Sequence, residues 1–108
     1  MADTTVEVTR LSPDRQASSA PLQGELVAVV REAVNAMEPG ALVTTPILTG
    51  YTDSYYYRNL GIGAYGVDPF RTTEADDRGV HGNNERVSLA NIRFGVEFFY
   101  RIVERLAR

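Results

Sequence analysis

SLANIRFGVEFFYRIVERLAR, residues 88–108, carries the plainest structural signal in the chain. Leu89, Ile92, Val96, Phe99, Val103 and Leu106 recur at alternating three- and four-residue steps, which places them in one stripe along a helix. Ser88 is a suitable N-cap, and Arg101, Arg105 and Arg108 suit the negative end of a helix. The spacing predicts a helix over 88–107.

Working upstream, Gly79-Val80-His81-Gly82-Asn83-Asn84-Glu85 joins that helix to a polar loop running from Asp68 to Gly79. Ile62 to Val67 reads as a brief strand, with Gly63 and Gly66 permitting close backbone approach. Before it, Thr52 or Asp53 can cap a short helix from Ser54 to Leu60 that Gly61 closes in a left-handed conformation. Ala41 to Thr45 is partly β-branched and ends at Pro46, as expected of a strand leading into a functional loop. Leu22, Leu26, Val29, Val30, Ala33, Val34 and Met37 share one helical face. Ser18 or Ser19 can cap that helix, Pro21 fits its first turn, and Pro39-Gly40 stops it, giving a helix over about 21–38. The alternation of Val6 and Val8 with Glu7 and Thr9 predicts a strand over 5–11, ended by Ser12-Pro13. The resulting order of strands and helices predicts an α/β fold, with layered helices on a small mixed sheet and chemistry at the strand-end loops. There is no internal repeat, and residues 1–108 read as a single domain.

Composition narrows the partners. At a net charge of −3 and a pI near 5.1, with no basic stripe along a helix, the chain is not matched to a phosphate backbone, so nucleic acid is not an expected partner. The eleven basic residues are all arginine, a composition that favours forked carboxylate recognition or reflects codon bias. Without cysteine, any metal must be held by nitrogen and oxygen ligands. The first twenty residues are polar and include Asp3, Glu7, Arg10, Asp14 and Arg15, and no apolar run approaches the roughly 18 residues a bilayer requires. A soluble, cytoplasmic protein with no membrane partner is the simplest expectation.

His81 is the chain's only histidine. A lone histidine is usually ordinary. Here flanking glycines allow close backbone approach, and Asn84 and Glu85 can orient the imidazole through its second nitrogen, or can simply prepare the start of the final helix.

Three groups of residues resemble the C-terminal part of the catalytic domain of the M20 family of zinc peptidases and deacylases, which includes carboxypeptidase-, aminoacylase- and succinyl-diaminopimelate desuccinylase-like enzymes. They are Gly50-Tyr51-Thr52-Asp53 with Arg58; Gly61-Ile62 with Tyr65-Gly66 and Pro69; and His81-Gly82-Asn83-Asn84-Glu85 before an amphipathic helix. Their order carries the resemblance over Val43 to Leu106. Val6 to Met37 is similar to the strand and helix by which the family's chain re-enters its catalytic domain after the dimerisation domain.

The resemblance implies that His81 is the last protein ligand of a two-zinc centre whose paired ions polarise a carbonyl and activate water. It implies a peptide or N-acyl amino acid substrate, cleaved at an amide bond near a carboxylate. Arg58 corresponds to an arginine able to grip that carboxylate, although an exposed arginine or a structural ion pair is the commoner use of such a residue. Asp53 corresponds to an acceptor supporting the active-site loop, or is a helix cap. Tyr55, Tyr56 and Tyr57 line a pocket or pack into a core. Asn83 stands where the family's motif commonly has proline. The family's earlier histidine, bridging aspartate, further acidic ligands and glutamate base have no counterpart in this sequence, and Asp76-Asp77 reads as a solvated acidic pair.

Two functions follow. One is part of a zinc metallohydrolase, inactive alone. The other is a non-catalytic binding or assembly module that keeps the scaffold, with exposed apolar surface leading to self-association or to pairing with a complementing chain.

Overall fold

The computed structural model describes residues 5–9, 11, 16–48 and 50–108. Its elements in chain order are α1 (Glu25–Met37), α2 (Ser54–Asn59), α3 (Glu74–Asp77) and α4 (Leu89–Leu106).

The expected final helix forms with the expected cap: Ser88 Oγ accepts the Asn91 N–H at 3.1 Å. Glu97 pairs with Arg101 and Glu104 with Arg108, each one turn apart along α4. The first long helix starts at Glu25, four residues later than the start expected at Pro21. Gly24, at φ 140, takes the N-cap position with no side-chain cap, and Ser18 and Ser19 lie well before the helix. A glycine in so extended a turn interrupts helical geometry, which overrides the proline signal upstream.

Helix α2 ends as its sequence predicts. Gly61, at φ 78, donates to Arg58 O at 2.9 Å, and Ile62 donates to Tyr57 O at 3.0 Å. These are the two bonds of a Schellman motif, and they require a left-handed residue at Gly61. Asp53 occupies the N-cap position, but its side chain makes no capping bond.

Packing is concentrated where α1 meets α4, the pair of elements in extensive contact. Val29, Val30 and Ala33 of α1 bury against Phe98 and Ile102 of α4, with Leu26, Val34, Met37, Val67 and Phe94 around them. The α1 residues are those its periodicity selects. On α4 the face is different. The stripe Leu89, Ile92, Val96, Phe99, Val103 and Leu106 is exposed, whereas Phe94, Phe98 and Ile102 pack inward beside Gly95. At 3.6 residues per turn, Val96, Phe99 and Val103 project roughly 100 to 160° from Phe98. Helix α4 is therefore apolar on two faces, of which α1 covers one.

Among the described residues no strand forms. The expected strands over 41–45 and 62–67 are present as chain without ladder pairing, as are 6–9, while Arg10 and the Ser12-Pro13 stop lie outside the described residues. Leu42 and Val8 are about nine-tenths exposed, at 89% and 91%. An isolated strand leaves its N–H and C=O groups unpaired and its apolar side chains in water, so alternation alone cannot produce one without a neighbour. The mixed sheet is thus absent from the described residues. The radius of gyration, 18.2 Å, exceeds the roughly 13 Å expected of a compact domain of this length.

Phe98→Ala should lower stability by roughly 3 kcal/mol, because it empties the most buried position of a small core. Val103→Ala, on the other face of the same helix and 64% exposed, should cost less than about 0.5 kcal/mol. Paired urea titrations of the two variants check the assignment of faces.

Candidate functional site

The segment between α3 and α4 is a staircase of local turns. Thr73 begins it with a capping box: its hydroxyl accepts the Asp76 N–H at 3.3 Å, while the Asp76 carboxylate accepts from Thr73 N at 3.2 Å and Thr73 Oγ1 at 2.7 Å. The backbone then steps forward through Gly79 N to Asp76 O, Val80 N to Asp77 O, Gly82 N to Gly79 O at 2.9 Å, and Glu85 N to Gly82 O at 3.3 Å. The short helix α3 inside this polar loop was not expected from the sequence, although Thr73 and Asp76 stand at capping-box spacing.

His81 occupies the third position of the turn closed by the Gly82-to-Gly79 bond. Its φ is 62, the only positive φ of a non-glycine residue among the described residues. An L-residue held in this region costs roughly 1–3 kcal/mol, with histidine among the more tolerant types. The turn is tight: a Cβ built on Gly82 would stand 3.1 Å from Gly79 O, so a larger residue would press on the backbone where it doubles back. The imidazole is exposed at the crest of the turn. Asn84 and Glu85 follow it and are likewise exposed, and no hydrogen bond joins their side chains to the ring among the described residues.

A side-chain latch ties the two ends of the staircase together. Arg86 Nε donates to Asp76 Oδ1 at 2.9 Å, closing a ten-residue loop over His81. Hydrogen bonding from the Thr73 hydroxyl, then from Arg86 and the Thr73 amide, lowers the Asp76 pKa from its ordinary 3.8 to about 2. Asp76 is therefore more than half of a solvated acidic pair. A second tie lies outside the first: Asn91, in the first turn of α4, accepts the Arg71 N–H at 3.1 Å and donates to Arg71 O at 2.9 Å. Sequence reasoning missed both ties, since spacings of ten and twenty residues match no local motif.

Arg58 sits elsewhere in the chain, half-buried, and is committed to backbone. Its Nε donates to Ala64 O at 2.8 Å, and its Nη1 donates to Ser18 O and Ser18 Oγ at 3.1 and 3.3 Å. Tyr65 adds a bond from its hydroxyl to Pro21 O. Together they fasten the segment before α1 to the loop after α2. The tyrosines near Asp53 do not enter the core. Tyr51, Tyr55 and Tyr56 pack on one another with ring centroids 5.6, 5.7 and 6.0 Å apart, and Tyr57 is exposed.

Among the described residues no three His, Cys, Asp or Glu side chains converge on a position that could hold a metal. A catalytic zinc needs three protein ligands, so a single imidazole does not fit one by itself. No helix among the described residues is long and apolar enough to cross a membrane.

Comparison with known proteins gives a consistent result. The model of peptidase family M20/M25/M40 matches residues 4–105. N-fatty-acyl-amino acid synthase/hydrolase PM20D1 of Mus musculus is 32% identical over 95 residues, covering 87% of this chain and 18% of the relative. The protein of that name from Homo sapiens is 29% identical over 77 residues, covering 70% of this chain and 15% of the relative. The chain therefore spans less than a fifth of the length of these relatives. No solved structure matches.

Because Asp76 ionises more readily in the fold than in the unfolded chain, its contribution is fully present above pH 3.8 and is lost as pH falls through about 2. The Thr73 and Asp76 amide resonances should thus be unchanged from pH 8 to 5 and shift together with Arg86 Nε below pH 3.8. Titration followed by NMR checks this; a midpoint near 3.8 for the Asp76 carboxyl would contradict the network.

Proposed function

We propose that this chain, which belongs to peptidase family M20/M25/M40, is the C-terminal part of the catalytic domain of a two-zinc hydrolase acting on an amide bond near a substrate carboxylate. The observation that carries the reading is His81: the one non-glycine residue in the left-handed region among the described residues is the histidine of the family-like His-Gly-Asn-Asn-Glu motif. Backbone strain clusters at functional sites, so a left-handed histidine held at a turn with its imidazole exposed supports a ligand role. The names of the relatives support an N-acyl amino acid as the substrate class.

His81 supplies one ligand nitrogen. The remaining ligands and the proton-moving glutamate belong to chain outside these 108 residues, so the segment alone is inactive. Zinc, when bound, polarises the scissile carbonyl and lowers the pKa of water. Asn84 and Glu85, next to the ligand, orient the ring once the site is complete, and Asp53 supports the loop that bears Arg58. Arg58, with Nε and Nη1 engaged, donates to the substrate carboxylate through Nη2. Segments 6–9, 41–48 and 62–67, which form no ladder here, become strands of a mixed sheet when neighbouring strands pair with them, and that sheet covers the second apolar face of α4.

A second reading, a non-catalytic assembly module, is favoured by the exposed Val96, Phe99 and Val103, with no three-ligand cluster among the described residues. In that case a second copy or a complementing chain covers α4. Sedimentation should show self-association rising with concentration, and a compact monomer throughout would count against it.

His81→Asn separates the two readings, since asparagine also accepts a positive φ. In the complete hydrolase, zinc content and hydrolysis of an N-acyl amino acid should fall by more than the roughly 10- to 100-fold seen when an outer partner of a ligand is lost. Folding stability should stay within about 0.5 kcal/mol of the parent. Unchanged zinc content with unchanged hydrolysis would sink the metal-ligand assignment.

A further inference from the structure

Resting on the reading of His81 as a metal ligand, we infer that Asp76 and Arg86 are positioning residues that hold the His81 turn in its ligand-presenting geometry, seconded by Asn91. Among the described residues, no core side chain anchors the turn. Residues 81–90 are exposed throughout, and none of the core side chains comes from 71–90. Every backbone bond from Thr73 to Glu85 spans three or four residues, so each step of the staircase can open without its neighbours resisting. The Arg86–Asp76 contact spans ten residues and the Asn91–Arg71 pair spans twenty. Both enclose His81, one inside the other.

The chemistry of the two ties suits the task. Asp76 has both oxygens engaged: Oδ2 takes two bonds from Thr73 and fixes the carboxylate plane, leaving Oδ1 aimed at Arg86 Nε. A carboxylate already oriented loses little further freedom on gripping a guanidinium, which makes this contact more directional than an ordinary surface pair. Asn91 presents one acceptor and one donor to the two main-chain groups of Arg71 and so carries the rigidity of α4 into the loop's entry. A left-handed φ at a non-glycine residue persists only when its surroundings over-determine it. The staircase alone does not, and the latch adds the missing constraint.

The test uses two readouts. In this full chain, Arg86→Gln and Asp76→Asn should speed hydrogen exchange at the Gly82 and Glu85 amides by about three- to fivefold, the scale of one exposed ion pair. Amides of α1 and α4 should be unaffected, and Arg86→Lys, keeping charge but not the fork, should fall between. In the complete hydrolase, titrated with zinc alone, Arg86→Gln should weaken zinc binding roughly 10- to 100-fold, as loss of a ligand's outer support does. Unchanged Gly82 exchange, or uniform acceleration through α1 and α4, would overturn the latch. So would zinc affinity within twofold of the parent. Failure of the ligand reading is seen separately, as zinc retained by His81→Asn while the Gly82 exchange still responds to Arg86→Gln.

Discussion

The contact between Phe98 and Ile102 of α4 and Val29, Val30 and Ala33 of α1 is the constraint on which the remaining order depends. Few other apolar side chains are fully buried, so this contact is the main constraint on the axis of α4. Once that axis is set, Ser88 fixes where the helix begins, Asn91 catches the main chain of Arg71, and Arg86 lies within reach of Asp76. The His81 turn is thus located by the core through one helix and two side-chain ties, although none of the core side chains comes from the turn.

How far the sequence discloses this depends on the range of each signal. Local chemistry is legible: Ser88 caps, Gly61 closes a Schellman motif, and the apolar positions of α1 are the ones that bury. Competing local signals are less so, as Pro21 pointed to a helix start that the Gly24 cap places four residues later, at Glu25. The face of α4 misleads for a definite reason. The helix carries two apolar stripes, and periodicity ranks the longer one, Leu89 to Leu106, while the packed one is interrupted by Gly95 and Arg101. Which stripe meets α1 is a tertiary fact, absent from the spacing. Strands fail for a related reason, since alternation reports a face that some partner buries, and ladder bonds need that partner's backbone. At the candidate site, the motif identifies His81 but not its backbone strain, and neither tie that encloses it is local enough to read.

The second stripe of α4 bears on what kind of object this chain is. A helix at the surface of a finished domain has one apolar face; one between two layers has two. Val96, Phe99 and Val103 on α4, and Ile47 and Leu48 in the 41–48 segment, are exposed apolar side chains that the α1–α4 core does not cover. The match to the peptidase family runs across almost the whole chain yet spans under a fifth of the relatives' length. Both facts are consistent with one layer of a larger fold.

The distribution of strain supports the same view from the site. Holding His81 at φ 62 opposes folding, and two side-chain ties are spent on keeping the turn around it closed. Glycine or asparagine at that position would satisfy the turn with less cost, so the turn's own geometry does not account for the imidazole. A metal ion that took the ring nitrogen would compensate for the strain in the assembled protein, because binding free energy adds to the stability of whichever conformation binds. On the proposed reading, the strained, latched and exposed imidazole is preparation for that binding, and no three-ligand cluster accompanies it among the described residues.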